Sequence, residues 1–225
     1  MRSVTRSLRE REVVGVLGGT FDPVHLGHLA VAEHVRNRTG LRRVWLLPCA
    51  IPPHKDPERV SPTEHRTAMV AAAVAAQPGL ELCDLELRSG AVRYSIDTLR
   101  TLRDGWHVDP VFLLGLDSLV EIPTWRRHTD LLAEFDWIAV DRSVEPAPHA
   151  TFSPESHGTI VEAPRSVEGW RSVHLGAGGR VFRLPMPIVP ISSREVRARA
   201  ATGQSLEGLV PDSVARYIQD NRVYG

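Results

Sequence analysis

Cysteine is scarce. Two in 225 residues, Cys49 and Cys83, cannot build a multi-bridge scaffold, and they fit a reducing cytoplasm as small core-filling side chains. A surplus of charge is also missing. Lys plus Arg and Asp plus Glu stand at 27 each, which leaves no broad basic field for a nucleic acid or an anionic membrane and points to a small partner. No apolar run reaches the roughly 18 residues needed to span a bilayer. Residues Met1 to Glu12 carry four arginines and two glutamates but no apolar stretch, so a secretory leader is not expected and residues 1–11 read as a disordered tail. The dinucleotide fingerprint G-x-G-x-x-G, the P-loop and the H-E-x-x-H zinc pair are absent, as are a Ser-His-Asp pattern and an activated cysteine. Hydride-transfer folds, P-loop phosphate sites and nucleophilic hydrolysis lose their usual markers.

What is present organises around Gly15 to His28, GVLGGTFDPVHLGH. Val13, Val14, Val16 and Leu17 read as a short buried strand ending at Gly18-Gly19. Two glycines without Cβ atoms let the chain turn and let a phosphate approach the main chain. Thr20, Phe21, Asp22 and Pro23 follow, then His25 and His28 at the mouth of a helix carrying Leu29, Ala32 and Val35 and ending at Gly40. Unpaired N–H groups at that first turn, with two imidazoles beside them, make an anion site. Gly27 breaks the rigid face a zinc helix would need, so no metal is assigned to the histidines.

Further along, Val44 to Leu47 forms a second strand in a β-α-β unit. The loop Ile51-Pro52-Pro53-His54-Lys55 lies beyond its carboxyl end, where open α/β sheets bind ligands. Ser61-Pro62-Thr63-Glu64 reads as a capping box opening a helix through Ala76, with Arg66 exposed and Met69 packed. Leu80 to Leu87 is a strand region interrupted in phase. Ser95 reads as the cap of a helix buried through Ile96, Leu99 and Leu102. Val111 to Leu114 is a buried strand ended by Gly115-Leu116-Asp117-Ser118, with Trp125 beyond it offering a flat face to an electron-poor ring. Trp137 to Val140 is another strand, followed by Asp141-Arg142. Residues 143–180 are dense in Pro, Gly, His and Ser and read as a loop insertion with one hairpin around His174 to Phe182. Ile191-Ser192-Ser193 then opens a helix with Arg197 one turn along, a second phosphate site. A last helix, Pro211 through Asn221, would pack Val214, Tyr217 and Ile218 on the sheet. The whole is expected to be one domain over 1–225.

GGTFDPVHLGH resembles the signature of the nucleotidyltransferase superfamily with a T/H-x-G-H motif, and within it the bacterial nicotinate-nucleotide adenylyltransferases. The resemblance continues through the P-P-H-K loop, Tyr94-Ser95-Ile96-Asp97-Thr98, Gly115-Leu116-Asp117 with Trp125, Asp141-Arg142 at the adenine-proximal strand end, and Ile191-Ser192-Ser193 with Arg197. It implies a Rossmann-like doubly wound α/β fold with a parallel sheet flanked by helices. It also implies adenylyl transfer from ATP to nicotinate mononucleotide, with Mg²⁺ held mainly by the ATP phosphates.

Carried over residue by residue, the resemblance makes His25, His28 and Arg197 catalytic. ATP falls to Gly18, Gly19, Thr20, Phe21, His25, His28, Gly115, Asp117, Ile191, Ser192, Ser193 and Arg197, and the nicotinate nucleotide to His54, Lys55, Tyr94, Ser95 and Trp125. Arg194 stands where Thr is usual, which leaves that hydroxyl's role open. Sister enzymes acting on nicotinamide mononucleotide or phosphopantetheine, and a non-catalytic nucleotide-sensing module, are the alternatives. No side chain in the sequence decides between nicotinate and nicotinamide, and oligomeric state is not readable from it.

Overall fold

The structure, a computed structural model, describes residues 11–51, 60–89, 93–141 and 157–225. Its centre is a seven-stranded sheet of β1 (Glu12–Gly19), β2 (Val44–Pro48), β3 (Leu80–Leu82), β4 (Val108–Gly115), β5 (Asp136–Asp141), β6 (Thr159–Glu162) and β7 (Arg180–Pro185). The order is β3-β2-β1-β4-β5-β7-β6, and every neighbouring pair is parallel. This is the expected doubly wound, Rossmann-like arrangement.

Strand periodicity explains why both faces are covered. In β4, Val111 and Leu113 join one apolar cluster while Phe112 and Leu114 join the other, and β5 divides Ile138 and Val140 from Trp137 and Ala139 in the same way. Successive side chains on a strand point to opposite faces, so a sheet buried on both sides needs these unbroken apolar runs. The first cluster is closed by helices α1 (Leu26–Thr39), α2 (Thr63–Val74), α6 (Val167–Arg171), α7 (Ser193–Ala201) and α8 (Asp212–Asp220). The second is closed by α3 (Ser95–Gly105), α4 (Leu116–Leu119) and α5 (His128–Glu134).

Several local expectations change. The first strand does end at the glycines, Gly18 and Gly19 pairing with Leu47 and Pro48 as the last residues of β1, but the glycines do not make the turn. A Cβ on Gly18 would stand 2.9 Å from the Phe112 ring and one on Gly19 3.0 Å from that of Phe21. The pair is therefore small for packing, and the sharp turn comes two residues later at Phe21, with φ +49°. No capping box opens α2: Pro62 is its cap residue, and Ser61 instead accepts from Arg66 and donates its N–H to Asp22. Ser95 is the first residue of α3 after the cap Tyr94, so its hydroxyl does not cap that helix. The helix α8 buries Val214 and Ile218 in the sheet's first apolar cluster, as expected, and also packs beside α2, Tyr217 meeting His65 at 3.0 Å.

The largest correction concerns 157–185. Gly176, Gly178 and Gly179 all adopt positive φ and do form a turn, but the strand that follows is not half of a hairpin. It enters between β5 and β6 and pairs parallel with both, with α6 lying between β6 and β7 in the chain. The described part of the expected loop insertion thus completes the sheet. Asp136, fully buried at the start of β5, holds this region by accepting from Arg180 at 2.7 Å and from the Gly176 N–H at 2.8 Å.

Candidate active site

In the strand order, β1 has β2 on one side and β4 on the other. Doubly wound sheets bind ligands at such a reversal, outside the carboxyl ends of the strands. A cavity of about 830 Å³ opens there, within the range of small-ligand sites. One wall comes from the end of β1 and the start of α1: Gly18, Gly19, Thr20, His25 and His28. The facing wall carries Ile191, Ser192 and Ser193 at the start of α7. The far end is lined by Tyr94, Ser95, Gly115 and Trp125.

The two imidazoles are held as a unit. Their rings stack with centroids 3.7 Å apart, and the main-chain N–H of His25 donates to Nδ1 of His28 at 3.2 Å. An Nδ1 that accepts carries no proton in the neutral ring, so the proton of His28 sits on Nε2, where it can be given to a ligand oxygen. The Phe21 ring meets His28 edge-on at 5.0 Å. Phe21 is buried and backs the imidazole; it does not line the cavity.

The late helix is fastened directly to this turn. Ser192 caps α7 by accepting from the Glu195 N–H, as the sequence suggests. Ser193 donates to the Pro23 carbonyl at 2.9 Å, and Arg197 donates to the Asp22 carbonyl at 2.6 Å. Tyr224 donates to the Asp22 carboxylate at 2.8 Å, and burial with that charge beside it pushes the phenol well above its ordinary range. Arg197 thus sits behind the turn rather than in the cavity lining, and Asp117 is exposed on the first turn of α4, also outside the lining. His54 and Lys55 lie outside the described residues, as does Arg142. Asp141 is buried and accepts from Arg183 at 2.5 and 3.0 Å, so its carboxylate is engaged within the sheet rather than turned to a ligand.

Four polar residues escape the sequence reading. Arg66 is 1% exposed, not at the surface as expected. Its guanidinium donates to the carbonyls of Thr20, Cys49, Ala50 and Ser61 at 2.7 to 3.0 Å, tying the end of β1 to the exit of β2. Glu86 lines the cavity yet is 6% exposed. It accepts from Thr98 at 2.7 Å and from the Ala50 N–H, and burial raises its pKa against those bonds. Arg93 and Arg126 line the same end of the cavity. Glu86 stands among the alternating charges Glu81, Asp84 and Arg88, so no local signal singles it out. Cys49 lines the cavity, whereas Cys83 is buried as expected and its thiol is pushed up to about 11 by desolvation.

Among the described residues no group of three or more His, Cys, Asp or Glu gathers that could hold a metal ion. The cavity is lined by glycine main chain, serine hydroxyls and imidazoles on one side, and by Tyr94, Trp125, Arg93 and Arg126 on the other.

Known proteins share this plan. The cytidylyltransferase-like family model matches residues 16–199. The chain is 43% identical over 214 residues to a probable nicotinate-nucleotide adenylyltransferase of Symbiobacterium thermophilum, covering 94% of each. It is 36% identical to one of Pelobacter propionicus, covering 94% of this chain and 97% of that one. The fold superposes on the Plasmodium falciparum nicotinic acid mononucleotide adenylyltransferase complexed with NaAD with a TM-score of 0.72 at 18% identity, over 95% of this chain and 98% of that one. At 43% identity over 94% of its length, and with this fold, the chain belongs to the nicotinate-nucleotide adenylyltransferase family.

Proposed function

We propose that the chain, acting as a single domain, transfers the adenylyl group of ATP to nicotinate mononucleotide in NAD biosynthesis, giving nicotinate adenine dinucleotide and pyrophosphate. The observation that carries this reading is the convergence of His25 and His28 with Ser192 and Ser193 on one cavity. A nucleotide phosphate oxygen bonds to the α-phosphorus of ATP as the bond to the β-phosphate oxygen breaks, and pyrophosphate leaves with that electron pair. The attacking phosphate is mostly ionised at neutral pH, its second pKa being about 6, so no general base is required.

Rate then comes from alignment and from neutralising charge in an in-line displacement. Nε2 of His28 donates to an α-phosphate oxygen as charge builds there. His25, the Ser192 and Ser193 region and the first turn of α7 hold the β- and γ-phosphates, with Arg197 keeping the facing turn in place. Tyr94, Ser95 and Trp125 receive the pyridine nucleotide, together with His54 and Lys55 on the sequence resemblance alone. Gly115 and Asp117 receive adenosine on the same footing.

The donor set fits a Mg²⁺ ion carried by ATP phosphates and water, which adds charge neutralisation and needs few protein ligands. A cytoplasmic location belongs to the same proposal, supported by the presence of only two cysteines in the sequence. No helix among the described residues is long and apolar enough to cross a membrane.

The test is pyrophosphate release from ATP with nicotinate mononucleotide, nicotinamide mononucleotide and phosphopantetheine side by side. The reading expects release with nicotinate mononucleotide above the others. Preference for phosphopantetheine, or binding without release, would overturn it in favour of a sister enzyme or a sensing module.

A further inference from the structure

The end of the cavity away from the histidines holds two guanidinium groups, Arg93 and Arg126. Arg93 acts by charge on the Glu86 carboxyl, whereas among the described residues Arg126 forms no salt bridge. Arg126 directly follows Trp125, and its guanidinium lies over the Tyr94 ring with the central carbon 4.6 Å from the ring centroid. Stacking of this kind holds a long, otherwise mobile side chain in one place and leaves the edge of its fork open to an anion.

Two acids share this chamber, Glu86 and Glu121. The Glu86 carboxyl is engaged by Thr98, the Ala50 N–H and the charge of Arg93, and Glu121 is exposed just before the short turn Ile122–Thr124. The aromatic faces of Tyr94 and Trp125 suit a flat heterocycle, and the guanidinium beside them suits a negative substituent on that ring.

We infer that Arg126 is a specificity-determining residue, selecting a mononucleotide whose pyridine ring carries a carboxylate over one carrying a neutral amide. The inference rests on the adenylyl-transfer reading above and adds a side chain that chooses the acceptor. The two mononucleotides share ribose and phosphate, so only a group that reads the ring substituent can separate them. The guanidinium can still donate to an amide carbonyl, but the attraction between opposite charges and the two-oxygen fork pairing with a carboxylate are lost.

The measurement is kcat/KM for nicotinate and nicotinamide mononucleotides at saturating ATP, for wild type, Arg126→Gln and Arg126→Lys. Wild type should prefer the nicotinate form. Arg126→Gln should lower that preference about ten- to a hundred-fold, the range of one lost charge-assisted bond, with the loss confined to the nicotinate side. Arg126→Lys, keeping the charge but not the planar fork, should fall between. Because Arg126 is exposed, both variants should fold.

An unchanged preference in Arg126→Gln would overturn the inference while leaving adenylyl transfer standing. So would an equal loss on both substrates, which would assign the guanidinium to the shared phosphate. A wild type that uses neither mononucleotide would overturn both this inference and the reading it rests on.

Discussion

Arg197 reaches across 175 positions of sequence to donate to the main-chain carbonyl of Asp22 at 2.6 Å. With Ser193 on the Pro23 carbonyl beside it, this bond sets the distance between the two walls of the phosphate cradle. Removing the guanidinium frees the turn that presents His25 and His28. Arg197→Ala should therefore weaken ATP binding by about 1.5 to 3 kcal/mol, the usual worth of a hydrogen bond to a charged group. Titration calorimetry with ATP reads this directly, and unchanged affinity would remove Arg197 from the account.

Arg66 makes a different prediction, on stability. Its buried guanidinium satisfies carbonyls from three separate segments, and Arg66→Ala leaves those oxygens without their donor inside the protein. Taking out one member of such a buried polar network costs about 3 to 5 kcal/mol. Denaturant unfolding should show a loss of that size, and a loss under about 1 kcal/mol would mean that water replaces the guanidinium freely.

The pH dependence of stability should carry two opposite contributions. Hydrogen bonds from Arg100 and Arg103 hold the Glu134 carboxyl below its ordinary 4.5. Its contribution is present above pH 4.5 and is lost on acidification through the lower folded value. Burial raises the Glu86 carboxyl above 4.5, so the native state holds that proton longer than the unfolded chain. Its contribution is present below pH 4.5 and fades as pH rises through the higher folded value. Glu134→Gln should flatten the acid limb of a stability profile measured by urea unfolding, and Glu86→Gln should flatten the fall toward neutral pH. Identical profiles for wild type and both variants would contradict these assignments.

The parts of this architecture that were legible in the sequence are those with a local cause. Four adjacent apolar residues at Val111 to Leu114 cannot be anything but buried when both faces of a sheet are covered, and Gly40 at φ +76° ends α1 as its type demands. Ser192 caps α7 because its hydroxyl competes for a nearby N–H. What stayed hidden depends on distant partners. Arg66 looks like any helix-surface arginine until the carbonyls of Thr20, Cys49 and Ala50 converge on it. Turn glycines around Gly178 signal a reversal but not the direction of the next strand's pairing, so the sequence suggests a hairpin where β7 pairs parallel with β5 and β6. Gly18 and Gly19 look like a flexible turn because their spacing to the Phe112 and Phe21 rings exists only in three dimensions.

The central claim is that Nε2 of His28 donates to the α-phosphate while the double-serine helix holds the outer phosphates of the same nucleotide. Its most direct test is the turnover of His28→Ala at saturating ATP and nicotinate mononucleotide, with folding checked by circular dichroism. Loss of one preorganised donor at a reacting centre lowers kcat by about 100- to 1000-fold, and that is the predicted result; a folded variant releasing pyrophosphate at near wild-type kcat would contradict it.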